Sequence, residues 1–288
     1  MANFDTGTST DTIGDLAALA NRAAYDTTTP AAEIEGSPHR RHAVVRARYA
    51  RLAAEVFARA RSFTPVPHVL DLGAGDGAVT RTFLELGARV TAADVSAHQL
   101  AVLAERNHDF ADRLAVATGD AAATLDALRR DGTRFDIVTA VSFLHHIPNY
   151  LPIVEAAVDL LEPHGQLFVF QDPMRADTLT TRNAILARIA YAAWRIRRPD
   201  AAGGIRRYLR RRRGVWLDDC AADNVEYHEL RGGVDQHAIV ALLGGLGFET
   251  RVVYYFATQS PLWQRIGERL GARNKFALVA YRSPASTS

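Results

Sequence analysis

The stretch Val69-Leu70-Asp71-Leu72-Gly73-Ala74-Gly75-Asp76-Gly77-Ala78 decides the reading of this chain. A short apolar run ends in a cluster of glycines, and a helical pattern follows over about 77–87, so a strand enters a tight turn that opens a helix. Gly73 permits the turn, and Gly75 lets a bound molecule approach the backbone. Working outward, strands are expected at 68–72, 89–95, 114–118, 135–142 and 166–171. Helices fall between them, with Ser96 placed to cap the one at 96–107. Strands alternating with helices give a parallel, doubly wound α/β sheet.

The ends and one insertion depart from this rhythm. Residues 1–62 read as a polar tail and a helical cap (helices about 11–25 and 40–61), and 63–173 as the ligand-binding core. An Arg-rich lid over 174–233 follows, and 234–288 returns a helix and two strands, 248–256 and 276–282, to the core sheet. The composition, 48% hydrophobic and 23% charged, is that of a folded protein. No apolar run approaches the roughly 18 residues of a membrane helix. The N-terminus lacks the pattern of a secretory signal. A soluble, cytoplasmic protein is the expectation. The single cysteine, Cys220, excludes an internal disulfide and a cysteine-based zinc cluster.

Asp94 ends the second strand, 21 residues after Gly73, where a carboxylate can accept both hydroxyls of a ribose. This satisfies a dinucleotide fingerprint, G-x-G-x-x-A, but the surrounding acids do not suit a pyrophosphate. Asp71 precedes the glycines, and Asp76 stands where the helix N-terminus would receive phosphate. A cationic, phosphate-free nucleoside fits better, namely S-adenosylmethionine. Alternatively, the two acids only cap the turn.

These residues and four later motifs resemble the class I S-adenosylmethionine-dependent methyltransferases, of the small-molecule type. V-L-D-L-G-A-G-D-G resembles the family's first motif, and A-A-D-V-S (Ala92 to Ser96) its ribose-binding acid. G-D-A (Gly119 to Ala121) is similar to its adenine-contacting turn. Phe135 to Asn149 resembles the fourth motif, and Leu160 to Phe170 the element after it. The resemblance implies a Rossmann-like seven-stranded sheet with the last strand antiparallel, covered by the N-terminal helical cap and the inserted helical lid. It also implies cofactor contacts at Asp71, Gly73, Ala74, Gly75, Asp94, Val95, Gly119, Asp120, Ala121, Ala140 and His145, with Tyr25 reaching in from the cap.

Methyl transfer needs alignment and exclusion of water, and a general base helps with phenols, alcohols and acidic carbons. His145 and His146, just past the fourth strand, are the candidate bases, set against a role in ordering the loop. His39 and His42 stand three apart and could ligate a metal, but without a nearby acid pair they read as capping residues, and no metal is assigned. Of 34 basic residues 33 are arginine, and ten lie between Arg188 and Arg213 against one acid, Asp200. That stretch is a solvated helix face, a site for an anionic substrate, or a surface for RNA or an acidic carrier protein. No RNA-binding fold is visible. The polar cluster Glu226, Tyr227, His228 and Arg231 either faces the substrate or pairs within the lid, with Asp235 capping the next helix.

The expected function is methylation of a small molecule, of the kind found in bacterial secondary metabolism. Two other readings stand beside it. One is a cofactor-binding, methyltransferase-like protein that catalyses cyclisation or rearrangement without methyl transfer. The other is a nicotinamide oxidoreductase.

Overall fold

The seven strands are β1 (His68–Leu72), β2 (Arg89–Asp94), β3 (Leu114–Thr118), β4 (Phe135–Val141), β5 (Leu161–Pro173), β6 (Phe248–Tyr255) and β7 (Lys275–Arg282). They form one sheet in the order β3-β2-β1-β4-β5-β7-β6. β1 to β5 run parallel, and β7 lies antiparallel between β5 and β6. The computed structural model describes residues 9–27, 35–196, 201–217, 220–225 and 227–282.

Alternation along the strands divides the core between the two faces. Leu70, Val138, Leu167 and Val169 pack on one side with Val154, Val158, Ile239 and Leu243. Val69, Ile137, Phe168 and Phe170 pack on the other with Val45, Tyr49, Leu52, Val56 and Phe57 of the helix Ala43–Arg61. Every residue of β4 is buried, as expected of a central parallel strand covered on both faces. Ser96 caps the helix Ala97–Arg106 by accepting from Gln99 N at 3.1 Å, and Asp235 caps Gln236–Gly245.

The three largest departures from the sequence reading have local reasons. The helix expected over 77–87 begins at Thr80, because Gly77 takes φ +76°, which a helix does not allow. The helix expected over 40–61 is broken at His42, whose backbone is extended and whose Nε2 pairs with Thr258 O at 2.8 Å. β5 is longer than 166–171, and its pairing with β7 is interrupted between Phe170 and Asp172, where Gln171 takes φ +76°. Such a bulge re-aims the side chains beside it, and these lie at the carboxyl end of the sheet.

The insertion leaves and rejoins the core at one point. Met174 and Val234 form a parallel bridge, and Gly233 (φ +86°) passes so close that a Cβ there would meet Met174 O at 2.1 Å. Within the insertion, the short helix Ala221–Asn224 packs on the N-terminal helix Ser9–Tyr25. Cap and lid therefore meet over the carboxyl ends of the strands.

Candidate cofactor and substrate site

The glycine turn is built by backbone geometry. Gly73 takes φ +69°, and a Cβ on it would meet the Phe143 ring at 2.4 Å. Its N–H and that of Ala74 donate to Ala93 O at 2.9 and 3.1 Å, which ties the turn to the end of β2. Asp94 completes the tie: Oδ2 accepts from Gly75 N and Oδ1 from Ser96 N, each at 2.9 Å. An ionised carboxylate has about four lone-pair sites, so two remain for a diol. Burial raises the pKa of Asp94, against the backbone hydrogen bonds that lower it.

Asp71 is 1% exposed and accepts from Thr80 Oγ1 at 2.6 Å. Burial, opposed by that hydrogen bond and reinforced by Asp94, pushes its carboxyl up from 3.8 to about 7. Asp76 behaves differently from the sequence expectation. Its Oδ2 is paired with Arg40 at 2.8 Å and Arg106 at 2.6 Å, so it presents no unpaired charge to repel a phosphate. Its role is to fasten the cap to the turn.

These residues border a cavity of about 520 Å³, within the range of small-molecule sites. Of the residues expected from the sequence, Tyr25, Asp71, Gly73, Ala74, Gly75, Asp94, Val95, Gly119, Asp120, Ala121 and His146 line it. Asp120 also caps the helix Ala121–Arg130, accepting from Ala123 N at 2.9 Å. Ala140 and His145 are not brought to the wall. His145 is 4% exposed and turns to Asp172, whose Oδ1 accepts from its backbone N at 3.0 Å and its Nδ1 at 2.7 Å.

His146 takes the exposed side of the same 3-10 turn. Its Nδ1 pairs with Val225 O of the lid, and its Nε2 lies 3.2 Å from Tyr25 Oη. A carbonyl can only accept, so Nδ1 carries the proton, and in the neutral ring Nε2 accepts from the tyrosine. One imidazole thus bridges cap, sheet and lid across the cavity mouth.

The sequence reading missed the rest of the wall. Gly14, Asp15, Ala17, Ala18 and Asn21 of the N-terminal helix line it, as do Ser37, His39, Arg40 and Phe143. The available signal was the run of small residues, Gly14, Ala17, Ala18 and Asn21, at helical spacing, a face that leaves room for a ligand. His39 does not act as a cap, and burial, with Arg40 and Lys275 nearby, lowers its pKa to about 3. Among the described residues no group of three or more His, Cys, Asp or Glu side chains could hold a metal ion.

Two of the lid's arginines are paired within it. Arg210 and Arg211 both pair with Asp223, each at 2.7 Å, and Asp223 is fully buried. Burial pushes the Asp223 carboxyl up, but hydrogen bonds from Arg211, Leu217 N and Arg210 outweigh it and hold its pKa below the usual range. Arg231 lies over the rings of Trp216 and Tyr227, and His228 Nε2 reaches Ile147 O and Pro148 O at 3.0 Å. Glu229 pairs with Lys275 at 2.6 Å. Glu226 lies outside the described residues. The arginines of 188–213 described at side-chain level do not line the cavity.

Residues 70–167 match the family model described as "Methyltransferase domain". Asp71, the glycine turn, Asp94 and the Gly119–Ala121 turn all fall within that match. Residues 70–167 are a methyltransferase domain by that match. The domain is 32% identical over 101 residues to a "Ubiquinone biosynthesis O-methyltransferase" of Coxiella burnetii, covering 35% of this chain and 42% of that protein. The chain thus spans less than half the length of the curated relatives it matches. In fold, the methyltransferase domain with its cap and lid is similar to magnesium protoporphyrin IX methyltransferase of Synechocystis PCC 6803 with bound cofactor. That likeness has TM-score 0.51 at 13% identity, over 96% of this chain and 100% of the other. It is also similar to the N-methyltransferase NodS of Bradyrhizobium japonicum WM9 (TM-score 0.50, 14% identity, 95% and 98% coverage).

Proposed function

We propose that this protein transfers the methyl group of S-adenosylmethionine to a small molecule enclosed between its cap and lid. One observation carries the reading. The glycine turn and Asp94 form a diol-accepting cradle at one end of a cavity that the cap closes at the other. The residues present suit the cofactor: Asp94 retains acceptor capacity for a ribose, and the Gly119–Ala121 turn offers a wall for its base. Asp71 is a carboxylate that a cation can keep ionised. Bound there, the cofactor supplies a methyl group already activated on a sulfonium.

The chain's own residues then orient and protect. The N-terminal helix and the lid exclude water from the reacting atoms, which strengthens every electrostatic contact inside. We assign any proton transfer to His146 rather than His145, because His146 lines the cavity and His145 does not. His145, bonded twice to the buried Asp172, fixes the turn that presents it. The setting we propose is biosynthesis of a small molecule, of the secondary-metabolic kind expected from the sequence. The biosynthetic role named for the curated relatives supports it.

The test is S-adenosylhomocysteine release from purified protein with a panel of phenols, alcohols and amines. Release that depends on an acceptor supports the proposal. Consumption of an acceptor without S-adenosylhomocysteine release, at full cofactor occupancy, would replace transfer by rearrangement.

A further inference from the structure

The helix Thr181–Arg195, which follows β5 at the start of the insertion, presents an apolar stripe to solvent. Ile185, Ile189 and Ile196 are 50%, 43% and 69% exposed, and Ala192 between them is exposed as well. At 3.6 residues per turn these four positions fall within an arc of about 60°. The opposite face is covered, with Leu186 and Ala190 buried against Phe256 and Ala272. A helix on the surface of a folded protein ordinarily sets polar residues on its outer face. This one is apolar on both faces.

The stripe is edged with cations. By the same spacing Arg182 borders it on one side and Arg188 and Arg195 on the other, and the helix contains no Asp or Glu. Ile185 and Ile189 share a groove with Leu270, itself 48% exposed, just past the helix Pro261–Arg269. That helix adds exposed Arg265 and Arg269, and its one acid, Glu268, accepts from Gln264 Nε2 at 2.7 Å. None of these residues lines the cofactor cavity.

Such a face fits a partner that is apolar at its middle and anionic around it. A second copy of the chain does not fit, because two of these faces would set arginine against arginine. An RNA would engage the arginines and leave the isoleucines in water. A bilayer with anionic headgroups answers both features, its acyl chains receiving the isoleucines and its headgroups the arginines. It also requires no matching shape for a convex helix crest, as a protein partner would. We propose that the helix Thr181–Arg195 docks in the plane of an anionic membrane surface, with Ile185, Ile189 and Ile196 inserted and Arg182 and Arg188 at the headgroups. This is docking on the surface, since no helix among the described residues is long and apolar enough to cross a membrane. The inference does not depend on the methyltransferase reading.

The full chain is sedimented at physiological salt with vesicles of equimolar phosphatidylcholine and phosphatidylglycerol, and with vesicles of phosphatidylcholine alone. Binding should require the anionic lipid, and Arg188→Gln should weaken it about fivefold, the effect of one cation near the surface. The double variant Ile185→Asn, Ile189→Asn should weaken it about tenfold or more, with circular dichroism unchanged because both side chains are at the surface. Insertion is read by an environment-sensitive fluorophore in a Cys220→Ser background. Attached through Ile189→Cys, its emission should shift to the blue on vesicle binding. Attached through Val116→Cys, on the edge strand β3 and 50% exposed, it should not. Failure to sediment with anionic vesicles would overturn the proposal. So would equal binding by the double variant, which would leave charge alone at work, or binding without a spectral shift at position 189. A dimer in sedimentation velocity that the double variant abolishes would assign the stripe to a second copy instead. Binding of an acidic amphipathic peptide without binding of vesicles would assign it to a protein.

Discussion

Asp71 offers the sharpest test of how the site treats a cation. Its carboxyl is buried, holds one hydrogen bond from Thr80, and titrates at about 7. Near pH 7 it is therefore about half protonated in the ligand-free protein. An opposite charge within about 4–6 Å lowers a carboxyl pKa by about 1–3, so a sulfonium or ammonium brought to this wall ionises it. Taking a lowering of about 2, binding releases ~0.5 proton at pH 7 and ~0.8 at pH 6. Calorimetric titration of S-adenosylmethionine in buffers of different ionisation enthalpy reads this number, and Asp71→Asn supplies the baseline that removes other groups. The folded state also holds this proton more tightly than the unfolded chain. Its contribution to ligand-free stability is thus present at low pH and lost as pH rises from 3.8 to about 7. The loss is about 4 kcal/mol in all, and Asp71→Asn should flatten that slope. Equal proton release by the wild type and Asp71→Asn at pH 6 would refute the reasoning.

Asp94→Ala should weaken S-adenosylmethionine binding by about 1.5–3 kcal/mol, roughly ten- to a hundredfold, with the fold intact by circular dichroism. Tyr25→Phe removes the hydrogen bond to His146, and the cofactor's dissociation rate by stopped flow should rise about fivefold, for about 1 kcal/mol of lost hydrogen bonding between cap and sheet. Arg211→Met leaves the fully buried Asp223 short of a partner, and hydrogen exchange over 201–225 should speed up as if the lid had lost about 3 kcal/mol. Exchange unchanged there would return Arg211 to a solvated face.

Much of this architecture is written locally. The strand positions follow from apolar runs bounded by glycine and polar turns, and His68–Leu72 and Leu114–Thr118 coincide with the observed strands. The place of Asp94 was legible because it ends a strand beside a glycine turn. What was not legible depends on contacts distant in sequence. Asp76 meets Arg40 across 36 residues, so its paired state has no local signature. His145 and His146 are neighbours of the same type, and only the turn, fixed by Asp172 at the β5 bulge, sends one inward and the other to the cavity. Gly14, Ala17, Ala18 and Asn21 mark one face of their helix by spacing, but nothing local to His39 shows that it reaches the cavity.

The central claim is that the cavity beneath cap and lid receives S-adenosylmethionine through Asp94 and the glycine turn. Isothermal titration of the full chain with S-adenosylmethionine, and in parallel with NAD, tests it most directly. The account predicts saturable one-to-one binding of S-adenosylmethionine, weakened by Asp94→Ala, and no comparable binding of NAD. Tighter binding of NAD, or no saturation by S-adenosylmethionine at millimolar concentration, would contradict it.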